Sequence, residues 1–374
     1  MRDRIAALKL IYFISMLFGF APFRIQNTGH LKPSKIVLAY SIFLWLYVTK
    51  SGGQSFLEKL VRKDQILLSV CLMILTITSQ VSHSTSFMIC INKRRKIIEI
   101  LDQLIALESS VKQNISKKYK MCKKVTFQLL YGVAVLIIPK IVFCFNGMMT
   151  IQESIFEIIC IFGDYIVILQ FSFFISLCHE YLTHLNSKLL EYYEHSGKTL
   201  KRSISIESIT SSDHYIFSKM KTPGLSLDLR TWALNIINLH HKFCDVILVI
   251  NNSYALQMLV YTAKYFIFIT FCLFFMFILM PFPYGNRISY DKYAPQVFCL
   301  SIWSISQIFM ITVPCFCIIE EAKNTAVLVH KILAKTKDLG VKEEFGYFSL
   351  QLLHRKVRFT ACGLFPLDFT LLYS

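Results

Sequence analysis

Three clusters in this 374-residue chain have residue types that can do chemistry. His179-Glu180-Tyr181-Leu182-Thr183-His184 comes near a zinc-protease motif, but its histidines stand five apart rather than four, so they do not share a helix face. His240, His241 and Cys244 have a helical spacing that can ligate a metal, and packing at a helix interface is the simpler reading of the same residues. Cys315 and Cys317 point to different faces of a helix and make a poor chelate. The sequence holds no phosphate-cradling glycine loop and no Gly-x-Ser-x-Gly elbow. No catalytic residue, metal or cofactor is expected, and the chain does not read as an enzyme.

A second kind of chemistry is electrostatic. Lys140, Glu157 and Asp164 stand inside long apolar runs, where a charge is costly in lipid and tends to mark function. Lys140 lies toward the end of one run, and the two carboxylates lie in the first half of the next. The connection between the runs is short, so they are antiparallel neighbours and Lys140 can pair with either acid. The group reads as a polar cavity that takes a small molecule, or as a buried structural ion pair. Phe143, Phe145, Tyr165, Phe275, Phe298, Trp303 and Gln307 can line the same cavity, although each alone is equally a packing residue. Lys264 sits near the inner end of its run and is expected to snorkel to the interface.

The elements that must position these residues are membrane spans. Hydrophobic residues make up 55% of the chain, which is more than a soluble domain of this length needs. Six spans are expected at 36–49, 65–92, 125–147, 154–178, 260–280 and 294–319, each near the roughly 20 apolar residues that cross a bilayer or flanked by lysines that compensate. The second holds no Asp, Glu, Lys or Arg, and the third is broken at Pro139-Lys140. The run 10–23 is too short to span, lacks a cleavage context, and is expected to lie at the interface or re-enter.

The net charge of +17 does not imply nucleic acid, because the basic residues crowd alternate loops. One alternate set of segments holds 32 Lys and Arg and the other holds 6, which places the N-terminus in the cytoplasm. Asn114 and Asn251 match the glycosylation pattern but fall on the cytoplasmic side of this topology, so neither is expected to be modified. Apolar residues recur at three and four positions through the cytoplasmic loops, which predicts long helices there. From 229 to 280 no proline or glycine interrupts the pattern. Residues 203–228, rich in Ser, Thr and Asp with Pro223-Gly224, predict a flexible loop.

Three stretches carry a family resemblance. They are Gly19-Phe20-Ala21-Pro22-Phe23-Arg24, then Leu239-His240-His241-Lys242-Phe243-Cys244-Asp245, and most specifically the end of the chain. There, Phe348, Gln351 and His354 are followed by Thr360-Ala361-Cys362-Gly363-Leu364-Phe365-Pro366-Leu367-Asp368. In these the chain resembles the insect gustatory receptors of the insect chemoreceptor superfamily. The resemblance implies an all-α integral membrane protein of seven helices with the N-terminus inside, and a tetrameric, ligand-gated, non-selective cation channel. Its partners would be a small-molecule tastant, bitter compounds foremost, membrane lipid, and other gustatory receptor subunits in a homo- or hetero-tetramer. It would sit as a multi-pass protein in the plasma membrane of gustatory sensory neurons.

On that reading 1–374 form a single membrane domain. Residues 1–35 are a cytoplasmic arm, 36–322 are six spans and their loops, and 323–374 are an anchor helix followed by the start of a seventh helix. The family's Thr-Tyr and Gln-Phe signature is not reached by Ser374, so the final pore helix is expected to be missing and residues 1–374 alone to give no homomeric current. A G-protein-coupled receptor and a secondary transporter are the alternatives. The inside N-terminus opposes the first, and the lack of an internal repeat opposes the second.

Overall fold

The structure, a computed structural model, describes residues 2–21, 23–25, 31–61, 66–110, 115–138, 140–141, 150–207, 223–279 and 294–372. Helix α1 (Arg2–Leu17) leads through a small antiparallel hairpin, β1 (Phe23–Ile25) and β2 (Leu31–Pro33), into α2 (Lys35–Val61), α3 (Ile66–Asn92), α4 (Arg94–Ser110) and α5 (Ile115–Gly132). The last continues through a π-helical turn at Val133–Ile137. Then come α6 (Ile151–Glu207), α7 (Pro223–Leu279), α8 (Ala294–Lys335) and α9 (Leu339–His354). The chain ends in a second antiparallel hairpin, β3 (Thr360–Ala361) with β4 (Phe365–Pro366), and a 3-10 turn at Phe369–Leu372.

Helix α6 is the hub. Its residues 160–175 are buried without exception, as expected of a helix that is apolar all round. It packs on α8, α7, α3 and α2. Helices α6 and α7 each hold 57 residues, about 85 Å at 1.5 Å per residue, far more than a hydrocarbon layer of about 30 Å requires. Their surplus length builds a second core. The main core runs along α3, α6, α7 and α8, and a separate cluster joins Leu185 and Leu189 of α6, Ile236 and Ile237 of α7, Val329 and Ile332 of α8, and Val341, Phe345 and Phe348 of α9. Helix α9 is started by Asp338, whose carboxylate accepts from the Val341 amide at 2.9 Å.

Helix α3 is turned inside out relative to a helix of a soluble protein. Thr76, Ser79, Ser82, His83 and Ser86 are buried, while Val70, Ile74, Ile77, Val81 and Met88 are exposed. A polar stripe against the bundle and an aliphatic stripe outward is the arrangement lipid favours. Among the described residues, four helical stretches are long and apolar enough to cross a membrane on those grounds alone: Lys35–Leu57, Ile151–Glu194, Leu229–Phe277 and Val297–Lys335. The expected spans at 65–92 and 125–147 fall on α3, diluted by its polar stripe, and on the short apolar stretch Lys124–Ile137, followed by residues outside the described set.

The run 10–23, expected to lie at the interface or re-enter, is mostly helix α1, packed on the bundle through Ile11, Ser15 and Phe20. It ends in a Schellman motif in which the Gly19 amide bonds the Met16 carbonyl and the Phe20 amide bonds that of Ser15, with Gly19 at φ +78°. Pro223 begins α7 rather than a loop, because proline suits the first helical turn; 208–222 lie outside the described residues. The start of a seventh helix shrinks to one 3-10 turn. Cys362 at φ 52° and Gly363 at φ +78° hold a tight reversal, Leu364 bonds back to Ala361, and Pro366 lacks an amide hydrogen.

Candidate functional site

The site is built around a charge that its surroundings must neutralise. Asp164 lies in the fully buried stretch of α6, at 0% exposure. A lone carboxylate there would lose its hydration with nothing in return. Two neighbouring helices supply the compensation. Lys264 of α7 donates to Asp164 Oδ2 at 2.7 Å, and Ser82 of α3 donates to the same oxygen. Lys264 Nζ also lies 3.3 Å from Ser82 Oγ and 5.2 Å from the Phe268 ring centre, close enough for a cation–π contact. The second carboxylate oxygen, Oδ1, is buried with no hydrogen-bond partner among the described residues, as are His83 Nδ1, Gln307 Oε1 and both polar atoms of the Gln80 amide.

Around this pair the polar stripe of α3 faces tyrosines of α7. Ser86 Oγ and Tyr261 Oη are 2.6 Å apart. His83 stands edge-on to Phe20, with centroids 5.2 Å apart. Phe20 in turn presses on Gly163, where an added Cβ would meet Phe20 Cε2 at 2.7 Å. One wall is aromatic: Trp303 of α8 meets Tyr165 edge-on at 5.0 Å and stacks on Tyr131 at 6.1 Å. Gln307 is one turn beyond Trp303 on α8 and fully buried. Lys140 pairs with Glu157, two turns before Asp164 on α6 and so about 10 Å along the helix.

The structure buries or half-buries Lys140, Glu157, Asp164, Tyr165, Trp303 and Gln307 in one bundle. Of the two acids open to Lys140, Glu157 is its partner. Lys264 does not snorkel; at 2% exposure it closes the ion pair with Asp164. Phe298 is 55% exposed, near the start of α8. Phe275 is buried, and Phe143 and Phe145 lie outside the described residues. Ser82, His83, Gln80 and Tyr261 were missed. The signal for the first two was in the sequence, in hydroxyl and imidazole groups recurring at three and four along 76–86.

Of the residues that carried the family resemblance, Phe20 stands at this site, Phe348 lies in the second core, and Phe243, Cys244, Ala361 and Leu367 belong to the main core. Phe348 is buried edge-on to His240, 5.1 Å between ring centres. Arg355 donates to His241 Nδ1 at 3.0 Å, so His241 is the tautomer whose Nε2–H donates to Gln351 Oε1 at 2.8 Å. Arg355 also pairs with Asp245, His354 is exposed at the end of α9, and Phe365 is half-buried against the main core. Asp368 caps the final turn, accepting from the Thr370 amide at 2.9 Å. Burial, with His241 and Arg355 alongside, pushes His240 down to about 4, and Cys244 one turn away is pushed up by burial to about 11. Asn251 is buried, and its Oδ1 accepts from the Thr360 amide at 3.1 Å, which leaves no access for a glycan; Asn114 lies outside the described residues.

A family model described as 7tm Chemosensory receptor matches residues 8–374. Similar proteins include the candidate gustatory receptor 28a of Drosophila melanogaster, 25% identical over 399 aligned positions that cover 98% of this chain and 88% of that protein. Candidate gustatory receptor 28b of the same fly is 29% identical over 140 residues, 37% of this chain and 30% of that one. Among solved structures, the insect olfactory receptor OR5 of Machilis hrabei superposes with a TM-score of 0.67 at 14% identity, covering 98% of this chain and 93% of that chain. The same receptor in complex with eugenol gives 0.66 at 13% identity, over 100% and 94%. At such identities the structural likeness speaks to the fold.

Proposed function

The chain belongs to the 7tm chemosensory receptor family, and from that premise we propose that it is a gustatory receptor subunit, a ligand-gated cation channel opened by small molecules. It is a multi-pass membrane protein and not an enzyme. The observation that carries the proposal is the polar cluster at Asp164. Buried acceptors without partners among the described residues, at Asp164 Oδ1 and Gln307 Oε1, stand beside the aromatic wall of Tyr165 and Trp303. A small molecule with one or two donors and an apolar body is complementary to that environment. The fold relative OR5 has been solved with eugenol, a molecule of that description.

On this reading six spans cross the membrane, carried by α2, α3, the α5 segment, α6, α7 and α8. The N-terminus is inside, and the second core forms a cytoplasmic anchor through which subunits assemble as a homo- or hetero-tetramer in the plasma membrane of gustatory neurons. Bitter compounds are the default ligand class. Ligand opens the channel by binding the open state better than the closed one. Purified protein should gain thermal stability from members of a bitter-compound panel. Gln307→Leu should abolish at least one such gain while leaving the ligand-free midpoint within about 3 °C, since the side chain makes only one long bond, from Nε2 to Ser306 Oγ at 3.3 Å. Gains that survive Gln307→Leu and Trp303→Leu alike would place the ligand elsewhere.

A further inference from the structure

A cavity lies away from the Asp164 cluster, and its lining differs in chemistry from that cluster. It is a cleft of about 740 Å³ between the α8 stretch Ile319–His330, the end of α9 at Ser349–Leu353, and the strap of residues 355–368. The strap is held in place at three points. Thr360 bonds Asn251 of α7, Phe369 packs on Phe316 of α8 with rings 4.6 Å apart, and Arg355 is tied to Asp245 and His241. The cleft is therefore built by tertiary contacts on two helices, α7 and α8.

Its lining is basic. Lys323, His330, Lys356 and Arg358 face it with Arg355, against the single carboxylate of Asp368, which is already bonded to the Thr370 amide and hydroxyl. Arg355 is engaged and acts as a fixed post. Lys323 is held only by an exposed i,i+3 pair with Glu320, which water screens. Lys356 and Arg358 are exposed and make no ion pair among the described residues. Beside these cations the lip is apolar and open: Leu353 lines the cleft at 59% exposure, and Leu364, at the tip of the β3–β4 turn, is 72% exposed.

Free cations converging on a pocket call for a polyanion, and exposed leucines at its mouth call for an acyl chain. We propose that this cleft binds the phosphorylated headgroup of an anionic membrane lipid of the phosphoinositide class, with Lys356 and Arg358 as its principal phosphate ligands and His330 and Lys323 completing the ring. In the orientation proposed above the cleft opens at the cytoplasmic leaflet, where such lipids lie and where each basic residue near the surface adds to the attraction. Occupancy would tether the strap to the lipid and to α8 together.

The test is a titration of the full chain in neutral detergent with a fluorescent phosphatidylinositol bisphosphate, read by polarisation. Saturable binding at least tenfold tighter than to phosphatidylserine is expected. The double variant Lys356→Gln, Arg358→Gln should weaken it at least fivefold with an unchanged melting midpoint. Lys331→Gln, exposed but outside the cleft, should not change it. Competition by free inositol trisphosphate at similar concentrations assigns recognition to the phosphates alone, and competition only by the intact lipid assigns a share to the leucine lip; either supports the site. Equal affinity for phosphatidylserine, or a double variant within twofold of the parent, overturns it. Detergent exposes both faces of the protein, so a failure would count against the cleft and leave the proposed orientation and the small-molecule site untouched.

Discussion

Asp164 and Lys264 can be removed one at a time or together, and the two experiments ask different questions. Asp164→Asn leaves an ammonium in a fully buried position with its charge uncompensated. That change is expected to cost about 3–5 kcal/mol, read as a large drop in melting temperature in detergent. The pair Asp164→Leu with Lys264→Met replaces both charges by apolar side chains of similar size, and is expected to be neutral or stabilising. If the double variant folds well and still gains stability from the same ligands as the parent, the pair is structural only. The charge on Asp164 was legible in the sequence, but its partner was not. Lys264 is 100 residues away, and only the packing of α7 on α3 and α6 brings it in. Ser82 and His83 were overlooked for a different reason, since a span without formal charge reads as featureless until its polar atoms are placed on one face.

Among the elements, α7 was the easiest to foresee, because nothing in 229–280 breaks a helix. The strap was the hardest: a cysteine at positive φ cannot be read from residue type, and it turned an expected helix into a hairpin. The contact of α1 with α6 depends on a glycine. At Gly163 an added methyl would meet the Phe20 ring at 2.7 Å. Gly163→Ala should therefore cost about 1–3 kcal/mol by overpacking, and proteolysis should release α1 more readily. In the second core, His240 is held neutral by burial, with its folded pKa lowered from 6.5 to about 4. The unfolded chain thus binds the extra proton first, so this residue's contribution is intact above pH 6.5 and is lost as pH falls toward 4. The melting temperature should decline over that window by the equivalent of about 3 kcal/mol. His240→Leu should flatten the decline, and a variant that follows the parent curve would remove His240 as its cause.

For the molecule as a whole, the two cores divide the labour. The bundle carries the polar cluster, and the extensions of α6, α7 and α8 with α9 carry the second core. A positive-inside bias of 32 to 6 predicts that an N-terminal tag is reached by antibody only after permeabilisation. The central claim is that a small molecule at the Asp164 cluster opens a cation pathway without an intermediary. It is tested most directly in outside-out patches from cells expressing this chain with other gustatory receptor subunits, with no nucleotide in the pipette. Bitter compounds applied to the outer face should evoke an inward cation current within milliseconds to seconds, and the Asp164→Leu, Lys264→Met variant, present at the surface in equal amount, should lose at least tenfold of it. A response that requires GTP on the inner face, or one the variant leaves unchanged, would contradict the account.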